Sequence, residues 1–365
     1  MINDVFFADL CERVLRLCKL EAGQTLAVVD EAVSEQRYAD AFLAAATRIG
    51  ALSYRVVVPR VAHDAPGGAL GFPGEGLVRT GTGRTVLGSN PAAVNALRGA
   101  DLIIDRVGML FSPEQHDLLL GGAKILTCNN PVDQLLALFP TVEMREKAEA
   151  GRELLAAASV LRVTNDAGTD VTYKLGHWEA DCQYGYTDTP GRWDNWPSGA
   201  FVYTGGAEDG VDGRVVLAPG DLLFPHKRYV TDPITFTIEA GRIVDIRGGV
   251  DAALTRSFME SFDDPRGYGI SHIGWGLDPR ATMASWALDP RGVGMAPRGC
   301  YGNVMFSTGP NTELRVRGAD VWGQNDSQCH LDIPMFGATL LLDDEPVVVA
   351  GRLAADAVGR VPTSV

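Results

Sequence analysis

The chain has six histidines in 365 residues, and one of them stands in Cys329-His330-Leu331-Asp332-Ile333-Pro334, two positions before an aspartate. In an extended strand, residues i and i+2 point to one face, so this spacing lets an imidazole and a carboxylate reach one metal ion. The apolar neighbours favour burial, and a buried carboxylate costs far less when coordinated than when alone. A packed strand in which His330 hydrogen-bonds Asp332 would satisfy the same residues. A second histidine sits in the glycine-rich segment Ser271-His272-Ile273-Gly274-Trp275-Gly276-Leu277-Asp278-Pro279, where it either supplies a further imidazole or closes a glycine turn. Together His272, His330 and Asp332 offer two imidazoles and one carboxylate. Non-haem Fe(II) oxygenases use that set to hold iron on one face and leave the opposite positions open.

From Gly269 to about Gly351 the chain resembles the aminopeptidase T type of metallopeptidase and its ring-cleaving relatives, the 2,5-dihydroxypyridine 5,6-dioxygenases. The peptidase block N-x-P-x-G-E corresponds to Asn195-Trp196-Pro197-Ser198-Gly199-Ala200, so Ala200 replaces a glutamate ligand. In the block aligned with Ser271 to Asp278, His272 replaces a second carboxylate. Asn303-Val304-Met305-Phe306-Ser307-Thr308-Gly309 aligns with T-V-H-x-A-x-G and puts Met305 where a ligand histidine stands. Only the terminal H-x-D survives, as His330 and Asp332. A dizinc hydrolase needs several carboxylates and imidazoles to hold its two ions and generate hydroxide. The resemblance therefore implies the dioxygenase branch: one Fe(II) on His272, His330 and Asp332, with a small hydroxylated pyridine and O2 as reactants. The reaction implied is 2,5-dihydroxypyridine to N-formylmaleamate, or a close analogue, by a homo-oligomeric enzyme. Two pocket histidines of those relatives are absent, with Asn195 and Phe111 at their positions, which points to a ring with different substituents.

Composition fits a soluble cytoplasmic enzyme. A net charge of −14 and a pI near 4.9 argue against nucleic acid or an anionic membrane surface as partner. No apolar run is long enough to span a bilayer, and the start Met1-Ile2-Asn3-Asp4 lacks the pattern of a signal peptide. The six cysteines have neither C-x-x-C spacing nor a dense framework, as expected of free thiols in a reducing compartment. Cys329 is expected to be packing rather than a ligand.

The elements that must position these residues divide into two patterns. Up to about residue 141, helical periodicities (Phe7 to Cys18, Ser34 to Ile49, Pro91 to Leu97, Pro113 to Leu120) alternate with strand-like runs (Thr25 to Val29, Ser53 to Val58, Leu102 to Asp105, Ala123 to Thr127). That alternation predicts a parallel sheet flanked by helices. The Gly/Pro-rich stretch from Ala65 to Gly88 reads as a long loop. A charged amphipathic helix over Val142 to Ala157 is expected to join the halves, and short strands broken by turns follow it. The fold class is therefore α/β: a parallel-sheet domain over 1–141, then a largely antiparallel, β-rich metal-binding domain over 142–365.

Other polar and aromatic residues near these motifs complete the expected site. Asn195 and Ser327 are candidates for proton handling. Phe111, His177, Trp193, Trp196 and Ser307 are candidates for holding a flat ring, although tryptophans this dense serve equally well as core. Two further readings stand beside the dioxygenase: a metallo-aminopeptidase requiring zinc or cobalt, and a non-catalytic binding protein of the same fold.

Overall fold

The structure is a computed structural model, which describes residues 3–32, 34–59, 87–88, 90–110, 112–197, 199–223, 226, 228–282 and 296–354. The expected long loop, apart from Leu87 and Gly88, lies outside the described residues. Along the chain come α1 (Asp4–Leu17), β1 (Thr25–Glu31), α2 (Gln36–Ile49), β2 (Leu52–Val58), α3 (Pro91–Leu97), β3 (Leu102–Asp105), α4 (Pro113–Leu120), β4 (Lys124–Thr127) and α5 (Val132–Ala137). Next are α6 (Val142–Ala157), β5 (Val160–Thr164), β6 (Asp170–Lys174), β7 (Asp181–Gln183), β8 (Trp193–Asn195), β9 (Phe201–Gly205) and β10 (Val211–Leu217). Then follow β11 (Leu222–Leu223), β12 (Arg228–Tyr229), β13 (Ile234–Glu239), β14 (Arg242–Gly248), α7 (Val250–Glu260) and β15 (Ile270–Gly276). The last are β16 (Val304–Thr308), β17 (Leu331–Met335), β18 (Thr339–Leu342), β19 (Glu345–Val349) and β20 (Arg352–Leu353).

The chain forms two compact units, and the first is built on a parallel sheet of order β2-β1-β3-β4-β8. Strands β3 and β4 are buried along their whole length, as parallel strands covered on both faces must be. Ala27, Val29, Ile103 and Ile125 pack against Val94, Leu97 and Leu118 from the helices. Helix ends follow local chemistry. Asn3 caps α1 by accepting the Phe6 N–H at 2.9 Å, and Gly50 closes α2 at φ 85, a conformation that costs glycine nothing.

One boundary differs from the expected 1–141 and 142–365. Tyr184–Ser198 groups with the first unit, because β8 pairs in parallel with β4, with Ile125 opposite Trp193 and Thr127 opposite Asn195. Three residues of an aromatic run thus complete a sheet begun 168 residues earlier, at Thr25, and no local pattern announces such a pairing.

The second unit holds α6, all the remaining strands and α7. Its larger sheet is antiparallel throughout, in the order β14-β13-β10-β6-β5-β18-β19-β20. A second antiparallel sheet, β17-β16-β15-β9-β7, carries both expected histidines and the aspartate at one end. Strands β9 and β16 are buried at every residue, and β15 is gripped between them. Its grip on β9 is close: a Cβ on Gly274 would lie 2.0 Å from the Val202 carbonyl oxygen, so only glycine fits there.

Candidate metal centre

Strand β15 delivers His272 through an irregularity. Ile270 pairs with Thr308 and Ile273 with Phe306, so β15 holds one more residue than β16 between those pairs. Regular alternation would send Ser271 and His272 to opposite faces, whereas this bulge lets both address Glu313. Ser271 Oγ lies 2.9 Å, and His272 Nδ1 2.8 Å, from Glu313 Oε1.

The far side of the His272 ring meets the H-x-D pair. His272 Nε2 lies 3.1 Å and His330 Nε2 3.2 Å from the same oxygen, Asp332 Oδ1. One ligand atom from each residue falls within 4.8 Å of the others. Yet His272 Nε2 and Asp332 Oδ1, though 3.1 Å apart, are buried atoms with no hydrogen bond of good geometry among the described residues. Atoms that crowd together while pointing past one another share a target, and a metal ion is one that two imidazole lone pairs and a carboxylate oxygen can all satisfy. The tautomers agree. His330 Nδ1 donates to the Thr308 carbonyl oxygen at 2.9 Å; since a carbonyl can only accept, the proton is on Nδ1 and the Nε2 lone pair faces the group.

The electrostatics favour a cation here. Burial by itself disfavours the charged form of His272, but the Asp332 and Glu313 carboxylates outweigh it and raise the pKa to about 9. Burial also opposes ionisation of Asp332, and the two imidazoles overcome it, holding the carboxyl well below its usual range. A proton on His272 and a divalent ion at Nε2 answer the same negative field, so one displaces the other.

The walls are mixed. Tyr203 and Phe201 stand edge-on to the His272 ring, with centroids 5.7 and 6.3 Å away, over an apolar cluster completed by Trp178, Met305 and Leu314. Arg298 is buried, with Nη1 4.0 Å from Asp332 Oδ2 and Nη2 3.4 Å from Gln183 Oε1. Ser307 lies directly across from Asp332 in the β16–β17 ladder, and its buried hydroxyl has no hydrogen-bond partner among the described residues. Where a peptidase needs an imidazole, Met305 sits in the apolar cluster; where it needs a glutamate, Ala200 is buried.

The remaining expected residues are placed as follows. Ser327 Oγ accepts the Cys329 N–H at 3.2 Å and so steadies the turn before His330. His177 is exposed, with its ring edge-on to Trp178 at 4.4 Å, outside the three-residue group. Asn195, Trp193 and Trp196 belong to the first unit. Trp196 is core: its Nε1 donates to Leu135 O at 2.9 Å and its ring packs against Phe42 and Phe139. Trp193 packs on the first unit's core cluster, and Asn195 is buried at the end of β8. Phe111 lies outside the described residues. Cys329 is buried, and burial pushes its thiol up to about 12, which keeps it protonated and suits packing. Sequence reasoning missed Glu313 and Arg298. Nothing local in the sequence marks either one, since Glu313 meets His272 from 41 residues away and Arg298 nears Asp332 only in the fold.

Residues 6–355 match the family described as 2,5-dihydroxypyridine 5,6-dioxygenase (NicX). A curated 2,5-dihydroxypyridine 5,6-dioxygenase from Pseudomonas putida KT2440 is 40% identical over 356 residues, covering 97% of each chain. The solved structure of the 2,5-dihydroxypyridine dioxygenase from the same organism superposes with a TM-score of 0.89 at 39% identity, covering 99% of this chain and all of that one. Wild-type AmpT from Thermus thermophilus shares the fold at a TM-score of 0.57 and 14% identity, over 96% of this chain and 99% of its own. With a family match over nearly its whole length, the chain belongs to the 2,5-dihydroxypyridine 5,6-dioxygenase family.

Proposed function

We propose that this protein is an Fe(II)-dependent, extradiol-like dioxygenase that opens the ring of a hydroxylated pyridine, 2,5-dihydroxypyridine or a close analogue, using both atoms of O2. The observation that carries this reading is the convergence of His272 Nε2, His330 Nε2 and Asp332 Oδ1, with the first and last of these buried and unpartnered among the described residues. Two imidazoles and one carboxylate suit a single ferrous ion, which when bound supplies open positions where the substrate oxygen and O2 meet.

The chain's own groups do the rest. The hydroxyl of Ser307 donates to a ring substituent, since its place across from Asp332 keeps it within reach of anything bound at the ligand atoms. Arg298 provides a fixed positive charge that would stabilise a substrate oxygen bound in its anionic form beside Asp332. Phe201 and Tyr203 shield the His272 edge from water. Asn195 and Phe111, carried over from the resemblance alone, stand where those relatives have two pocket histidines and leave a close analogue with other ring substituents as the alternative to 2,5-dihydroxypyridine itself. The six buried free cysteines fit a reducing cytoplasm. Homo-oligomerisation, also carried over from the resemblance, is read by sedimentation.

The test is elemental analysis of protein purified without oxygen, followed by oxygen uptake with 2,5-dihydroxypyridine. About one iron per chain and substrate-dependent uptake are expected. Two zinc ions per chain would favour the peptidase reading instead, and no metal a binding protein.

A further inference from the structure

The carboxylate of Glu313 is, among the described residues, a buried charge behind the centre that the proposed chemistry leaves unused. It comes from a turn 41 residues along the chain from His272, and it is buried to 2% side-chain exposure. Its Oε1 lies 2.8 Å from His272 Nδ1 and 2.9 Å from Ser271 Oγ, while Oε2 has no hydrogen-bond partner among the described residues. Ser271 Oγ also contacts the Pro310 carbonyl oxygen, so the loop that presents Glu313 is tied to β15 at two points. A carboxylate buried with one bare oxygen is costly unless positive charge lies close, and the imidazole 2.8 Å away can relay such charge from its Nε2 side.

We infer that Glu313 is a positioning residue: it holds the His272 proton on Nδ1, fixes the ring against rotation and turns the Nε2 lone pair toward the metal. The negative charge also makes that nitrogen a stronger donor. The β15 bulge is what makes this possible, because it brings Ser271 and His272 to the same carboxylate. The inference rests on the metal-site reading above and adds to it a residue that touches neither metal nor substrate.

The test is anaerobic titration of metal-free protein with Co(II), whose visible absorption reports the ligand field, in wild type, Glu313→Gln and Glu313→Leu. Chelator competition gives the affinity of each, and thermal melting of the metal-free forms reports their folds. Leucine removes acceptor and charge, and should weaken binding about 10–100-fold and change the shape of the Co(II) bands. Glutamine keeps an acceptor of the same length without the charge, so it should fall between leucine and wild type. Metal-free Glu313→Gln is expected to melt close to wild type, so that its loss of affinity is not a loss of fold. If either variant bound Co(II) within twofold of wild type with unchanged bands, the positioning role would be overturned. Failure of wild type itself to bind would instead overturn the metal-site reading.

Discussion

At the scale of single residues, three side chains share one proposed duty, and their substitution should look alike. His272→Ala, His330→Ala and Asp332→Ala are each expected to abolish tight iron binding and oxygen uptake, while the far-UV spectrum stays that of the folded chain. Iron content after gel filtration checks this, and full content in any one variant would remove that residue from the set. Met305 and Ala200 support the complementary expectation. Lacking a carboxylate and an imidazole at those places, the protein should show no hydrolysis of leucyl anilides with added zinc or cobalt, and no second ion of equal affinity. The convergence of these three side chains was legible because the H-x-D is contiguous and the third member sits in a segment with a recognisable alignment. Glu313 was not legible, since its link to His272 is a contact between distant stretches of chain, and neither residue's neighbours encode the other.

At the scale of elements, the close packing of β15 is the feature most easily tested. Gly274→Ala would place a methyl on the Val202 carbonyl oxygen, so it should cost roughly 3–5 kcal/mol by urea denaturation and weaken metal binding with it. Wild-type stability in that variant would mean β9 and β15 are looser than described. Asp221 gives a pH dependence. Its buried carboxyl accepts the Ala218 and Phe336 N–H groups, each at 2.7 Å, tying the segment before β11 to the residue after β17. Burial outweighs those bonds and raises its pKa from 3.8 to about 6. The folded state therefore holds the proton more tightly than the unfolded chain. This group's contribution is fully present below pH 3.8 and is lost as pH rises through 6, by up to about 3 kcal/mol at 1.36 per unit. Compared with wild type, Asp221→Asn should show a flatter fall in urea midpoint between pH 4 and 7; parallel curves would count against it. Helices with several turns and a clear apolar stripe, such as α1 and α2, were readable from periodicity. The six-residue α5 was not, because it is shorter than two helical turns. Nor was β8, whose strand character exists only beside β4.

At the scale of the whole molecule, the two units offer different prospects for stabilisation by a ligand. All three proposed metal ligands lie in the second unit, so a tightly bound ion should stabilise that unit. At about one hundred times the dissociation constant the gain is roughly 2.7 kcal/mol. Differential scanning calorimetry with and without chelator should show the transition of the second unit moving, and equal movement of every transition would show that the units unfold together. The parallel and antiparallel halves were visible in the sequence, through the switch from helix–strand alternation to short strands broken by turns. The return of Tyr184–Ser198 to the first unit was not, because chain order and spatial order part company there.

The extra residue in β15 also bears on how such a centre could be copied. A designer who grafted only the three proposed ligand side chains onto an ideal antiparallel sheet would send Ser271 and His272 to opposite faces and lose their shared carboxylate. What has to be transplanted is the irregular strand with its carboxylate. Deletion of Ser271 should likewise be a harsher change than most substitutions there: it would keep His272 but take away the extra residue and turn that proposed ligand to the other face of the sheet.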